Sequence, residues 1–307
     1  MSKPLKSNHF PKLLAILCIA PTVAIAQDAW QLNASATAMT GHYADSQTMY
    51  NQHGVGVRMS GEKDKAWGIT AGLQSTRIDM APITQVSKQD QDNWLLSAHV
   101  HLPTRAAPGR LTFQLDAHQV NNDATQSISS DVRAVAPKVT WVSYTQPLKL
   151  DLSDASSNYK NTPATIHQRS AAIAYGFTNQ TNWVQVRSYA INNLDPLSAL
   201  GQSSTRATDI SLTHILNGTN NVAPTSITVG LERGKRIYVI DMTTQTLYNL
   251  PMLNEGGEKI AANWKLSKNT EMNLQFSKTR YFSDVPTAPS AHRFTLDTLS
   301  AQITTAW

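Results

Sequence analysis

From Trp30 onward, apolar and polar residues alternate in short runs. "WQLNASATA" sets Trp30, Leu32, Ala34, Ala36 and Ala38 on one side and Gln31, Asn33, Ser35 and Thr37 on the other. "NWLLSAHVHL" sets Trp94, Leu96, Ala98, Val100 and Leu102 against Leu95, Ser97, His99 and His101. "RLTFQLDAH" sets Leu111, Phe113, Leu115 and Ala117 against Arg110, Thr112, Gln114, Asp116 and His118. A period of two is the signature of a strand with two unlike faces, and no long helical period interrupts it. The runs predict fourteen strands: 30–41, 52–62, 66–79, 92–103, 109–120, 132–145, 147–154, 166–177, 182–191, 205–216, 225–235, 258–267, 270–281 and 292–307. Most are 9–12 residues, the length a tilted strand needs to cross a bilayer.

The connections sort by length. Short links such as "EKDK", "PTRAAPG", "QP", "TNQTN" and "SKNT" follow even-numbered strands, and longer ones follow odd-numbered strands. A sandwich has no reason to sort loops this way. A barrel whose termini share one side of a membrane does, because its turns are short on that side and its loops long on the other. Tryptophan agrees. Trp30, Trp67, Trp141, Trp183, Trp264 and Trp307 all fall at the short-turn end, and only Trp94 falls at the other. Indoles favour the membrane interface and gather there in girdles. The expected fold is all-β: a transmembrane antiparallel β-barrel of about 14 strands, with 12 or 16 as alternatives.

Three stretches fit this frame less well. Pro137 inside 132–145 calls for a bulge or a strand end. Over 292–298 the apolar face changes parity. Loop 236–257 holds "RIYVIDMTTQTLYNL", which reads as a hairpin above the membrane or as two more strands.

Composition supports the barrel. Charged residues make up 15% of the chain, yet mean hydropathy is −0.31, so uncharged polar side chains fill the gap. Half of each strand facing lipid and half facing a wet interior gives this balance. Residues 1–26 read as a signal peptide: a basic "MSKPLKSNHFPK", an apolar "LLAILCIAPTVAI" too short to span, and "AIA" before Gln27. Cleavage after Ala26 leaves 27–307 as the barrel. Three of the 26 basic residues, Lys3, Lys6 and Lys12, fall in the leader, leaving 23 against 21 acidic ones, a net charge of +2. No basic stripe remains to bind nucleic acid. Cys18 is also in the leader, so the exported chain has no disulfide.

The final strand, "SAQITTAW", ends on Trp307 with Leu299, Ala301 and Ile303 at alternate positions before it. With the paired strands and sorted loops, this resembles the bacterial outer-membrane β-barrel class, porin-like in general form. The resemblance names a class and no particular family. It implies the outer membrane of a Gram-negative bacterium, surrounding lipid, and a terminal signal (Leu299, Ala301, Ile303, Trp307) read by the barrel assembly machinery. Self-association of the barrel is left open.

No phosphate loop, zinc motif, nucleophile elbow or paired cysteines occur, and neither a cofactor nor a metal is called for. The short turn after 92–103 sets Ser97 opposite Asp116 and His99 opposite Gln114, with His101 and His118 on the same face. A nucleophile–base–orienter trio of Ser97, His99 and Asp116 is one reading, and a metal held by the three histidines is another. The plain reading is lumen lining, with no catalytic residue. The other expected lumen charges are Arg58, Arg110, Lys149, Arg187 and Lys265 against Asp151, Asp209 and Glu232. Opposite signs facing across the pore would give a transverse field and weak ion selectivity. Fourteen tilted strands give a backbone radius of roughly 14 Å. No sizeable segment between the leader and the first strand is available as a plug, so occlusion is expected from an inward-folded loop, foremost 236–257. These features point to a diffusion channel for small hydrophilic solutes. The alternative is a non-conducting barrel with surface-binding loops, or an outer-membrane component of an export or polysaccharide system. Arg233, Lys235, Arg236, Tyr238 and Tyr248 motivate that alternative.

Overall fold

The computed structural model describes residues 30–81, 87–123, 131–160, 165–194, 202–216, 223–242, 244–247, 252–283 and 291–307. The signal peptide and Tyr248 lie outside them. In chain order the strands are β1 (Trp30–Ala44), β2 (Met49–Lys63), β3 (Trp67–Met80), β4 (Lys88–Thr104), β5 (Gly109–Asn122), β6 (Val132–Ser143), β7 (Leu148–Tyr159), β8 (Thr165–Phe177) and β9 (Asn182–Asn192). They continue as β10 (Ser204–Ile215), β11 (Ser226–Arg236), β12 (Ile240–Asp241), β13 (Thr246–Leu247), β14 (Leu253–Lys265), β15 (Thr270–Ser283) and β16 (His292–Ala306). Fourteen of them form one closed antiparallel barrel in sequence order, and β12 and β13 pair apart from it as a small hairpin.

The last strand closes on the first. Asn33 faces Ala306 in the register, and Leu32 and Trp307 exchange both backbone hydrogen bonds, at 3.1 and 3.0 Å. This leaves neither edge unpaired, which is the condition for crossing a membrane with strands. Alternation puts Leu96, Leu115, Leu152 and Ile173 on the outer surface, each about half exposed or more. An apolar belt of this kind has lipid as its natural solvent. Leu299, Ile303 and Trp307 share that outer face.

The strands run further than the pattern suggests at the long-loop end. β7 continues to Tyr159 and β14 begins at Leu253, while β1 and β2 are joined by 45–48 alone. Among the short turns, 216–225 between β10 and β11 is the long exception. Pro137 makes neither a bulge nor a strand end. The β6–β7 ladder skips Ala136 and Pro137 and resumes at Lys138 opposite Ser153 in the same register. An outer-wall groove of about 630 Å³ runs from Pro137 and Val139 past Leu152 and Ala171 to Ala190 and Arg206.

The girdle needs one correction. Trp30 and Trp67 meet edge to face at 5.0 Å at the short-turn end. Trp183, however, lies on the inner face, beside Gly176, where an added Cβ would sit 2.9 Å from the indole. Its ring nitrogen donates to Gln180 O at 3.0 Å and ties down the turn that leads into β9.

Candidate functional site

The interior is not uniformly polar. In the halves of β5–β9 nearest the long loops, the inward positions include Val120, Val132, Ala134, Ala136, Ile166, Tyr189 and Ile191, all buried. They are covered by the chain between β11 and β14. Ile237, Tyr238, Val239, Ile240, Met242 and Leu247 pack on them as one apolar cluster. The expected hairpin above the membrane is therefore a hairpin inside the barrel. Two more wall strands are excluded as well, since β12 and β13 pair only with each other.

Two glycine bulges send the segment inward. The β11–β14 register shifts between Arg233 and Arg236, and the β14–β15 register shifts between Asn254 and Gly257. Gly234 and Gly256 take φ of 102° and 101°, a region other residues avoid. A Cβ on Gly256 would also lie 2.5 Å from the Glu232 carbonyl oxygen.

The segment is pinned by polar contacts to three parts of the wall. On β8, the buried Gln168 side chain takes both backbone groups of Ile240: Nε2 donates to the carbonyl at 2.8 Å and Oε1 accepts from the amide at 2.9 Å. On β2, Arg58 donates to Gln245 Oε1 at 3.1 Å and to Thr244 O at 2.8 Å. On β5, Asp116 accepts from Gln245 Nε2 at 3.0 Å. Gln245 thus bridges Arg58 and Asp116. Tyr238 stacks edgewise on Tyr159 at 5.4 Å, and burial raises its phenol above the ordinary tyrosine range, so it serves as a neutral wedge.

Most inward charges pair along the wall on this covered side. Arg187 and Asp151, both nearly fully buried, meet at 2.9 Å, with Lys149 at 3.6 Å and a hydrogen bond from Thr140 at 2.7 Å. Arg236 pairs with Glu232 and with Asp209, and its guanidinium lies over the Tyr189 ring. These contacts correct the expected transverse field. The charges neutralise one another along the wall, within a strand or across one or two adjacent strands, instead of facing across the pore. Arg110 and Lys265 lie at the short-turn mouth, both exposed.

The opposite side stays open. A cavity of about 400 Å³ lies between residues 244–247 and the wall formed by β1–β4, β15 and β16. Its lining is mostly hydroxyl and amide, including Thr37, Gln74, Asn93, Gln275, Thr298 and Gln302. Gly56 and Gly72 widen it, and among the described residues that line it Arg58 alone is charged.

The parity change over 292–298 now has a cause. Phe294 and Leu296 turn inward with Tyr43, Met49, Ile78 and Met252 to form a second apolar cluster. Tyr281 stacks on Phe294 at 5.5 Å.

Among the described residues, no hydrogen bonds link Ser97, His99 and Asp116 as a trio. Ser97 does face Asp116, and His99 faces Gln114, as the pattern predicts. Asp116, however, accepts from Gln114 and Gln245, and among the described residues no hydrogen bond joins Ser97 to a histidine. His118 is buried with neither ring nitrogen bonded, apart from His99 and His101. The loop-partner reading loses two of its residues: Arg236 and Tyr238 are buried, whereas Arg233 and Lys235 stay exposed.

No family model matches this chain, and no curated protein does. Solved structures do. A deletion variant of the monoaromatic hydrocarbon channel TodX superposes with a TM-score of 0.55 at 10% identity, covering 92% of this chain and 90% of that one. The toluene transporter TodX of Pseudomonas putida gives 0.52 at 10% identity, over 92% and 90% of the two chains. The fold is that of an outer-membrane channel. At such identity the likeness extends to the fold and no further.

Proposed function

We propose that this chain is an outer-membrane diffusion channel for small, mainly uncharged hydrophilic solutes. The observation that carries this reading is the cavity beside the inserted segment. Its wall offers hydrogen bonds from Ser, Thr, Asn and Gln, with one charge. Such a surface replaces the hydration of a polyhydroxylated or amide-bearing solute at little cost, and gives an ion little to prefer. The toluene carried by TodX is not carried over to this chain, because hydroxyl and amide residues outnumber the apolar ones in this lining.

On this reading His99, His101, Arg110 and Lys265 line the approaches to the narrowest part with Ser97 and His118 buried in the wall beside them, whereas Lys149, Asp151, Arg187, Asp209 and Glu232 set the charge balance beneath the segment. The leader directs export and is removed after Ala26. Leu299, Ala301, Ile303 and Trp307 present the assembly signal to the barrel assembly machinery, and lipid surrounds the finished wall. The chain performs no catalysis.

Liposome swelling tests the substrate class. Vesicles carrying the refolded protein are expected to admit neutral sugars and small amides faster than charged solutes of equal size. Equal or faster entry of the charged solutes would overturn the proposal.

A further inference from the structure

Near the short-turn mouth, three neighbouring strands bring together Glu62 of β2 and His99 and His101 of β4. One donor atom from each lies within 4.8 Å of the others. We infer that this cluster is a binding site for a divalent transition-metal ion of the Zn2+ type.

The register shows how residues far apart in sequence meet. Glu62 pairs with Gly68 on β3, and Gly68 pairs with His99 on β4. Gly68 carries no side chain between them. A Cβ there would stand 2.6 Å from His99 Cε1 and 2.9 Å from Nε2, so the imidazole occupies the space that glycine leaves. His99 and His101 are two apart on one strand and share its inner face, with ring centres 4.8 Å apart. His101 Nε2 lies 3.6 Å from a Glu62 oxygen.

A second feature orients the cluster. His101 Nδ1 is 2.7 Å from the hydroxyl of Thr112, its partner on β5. A hydrogen bond on one ring nitrogen fixes the ring and leaves the other to face a metal, the usual second layer of a histidine site. The donors are two imidazoles and one carboxylate, half-buried and open to the lumen on one side. That set suits Zn2+, Ni2+ or Cu2+ and suits Mg2+ or Ca2+ poorly, since the latter require mostly oxygen ligands. Protein supplies three positions and water the rest. His118 is not a member, so the metal reading based on three histidines is replaced by one based on Glu62, His99 and His101. Arg110 shares the inner face of β5 with Thr112 and opposes a cation there, which supplies a test of sign.

The test is isothermal titration of the refolded full-length barrel with ZnCl2, with MgCl2 as control. It reads binding whether or not the lumen conducts. One Zn2+ per chain is expected in the low-micromolar range, with no response to Mg2+. His101→Ala and His99→Ala should each weaken it roughly tenfold or more, in line with loss of a ligand. Arg110→Ala should tighten it. Glu62→Gln keeps the shape and serves should either histidine variant fail to give the heat-modifiable band of a folded barrel. Absence of a stoichiometric site at 100-fold excess ZnCl2 over protein would overturn the inference. So would a site of equal affinity in all four variants, which would place the ion on histidines elsewhere.

Discussion

The two sides of the lumen have opposite chemistry although one strand rule builds both. On β5–β9 the inward positions toward the long loops are mostly apolar, and the inserted segment covers them. On β1–β4, β15 and β16 a smaller apolar cluster closes the loop end, and the inward positions below it are largely hydroxyl and amide and stay uncovered. Ion pairs follow the first side: Arg187–Asp151 and Arg236–Glu232 lie beneath or beside the segment. A barrel can therefore divide its own interior. One half is spent on holding a constriction in place, and the other half is left as the route.

The largest effect should come from removing the divider. Replacing 237–247 by a short Gly-Ser link takes away the apolar cover and the Gln245 bridge together. Single-channel conductance is expected to rise several-fold, with the barrel still inserting. Next comes the buried pair. Arg187→Ala leaves Asp151 with Lys149 at 3.6 Å as its charged partner and Thr140 as its hydrogen-bond donor and should cost about 3 kcal/mol, the low end for a broken buried ion pair. Urea unfolding in lipid vesicles, followed by Trp fluorescence, measures it. Gln302→Ala on the open side should cost far less in the same assay.

Gln168→Ala removes both hydrogen bonds to Ile240. It is expected to destabilise the seated segment by about 1–3 kcal/mol, seen as added current noise with unchanged barrel assembly. Smallest is the effect of Arg58→Gln. It removes the one charge lining the open side and keeps a polar amide there. A modest shift of reversal potential toward cations is expected in a salt gradient.

The wall was legible because lipid and water impose a strict period of two, and fourteen strands with their closure on Trp307 follow from it. The insertion was only half legible. "RIYVIDM" is an apolar run that asks for a partner, and 236–257 was the loop expected to fold inward. Its seat was also visible in outline: Val120, Val132, Ala134, Ile166 and Ile191 are apolar at inward positions, where a water-filled barrel has no use for them. What could not be read was the pairing of charges. Arg187 and Asp151 are separated by 36 residues and meet across β8, where Ala172 lies between them. Glu62 and His99 meet across Gly68 in the same way. A small residue on the intervening strand is the signal in both cases, and it has meaning only once the register is known.

The most direct test of the account is single-channel conductance of refolded residues 27–307, alone and with 237–247 replaced, in a planar bilayer. The account predicts stable, weakly selective steps below a nanosiemens for the intact chain, and a several-fold larger step once the segment is gone. Equal conductance in the two proteins would contradict it, because the segment would then not divide the lumen.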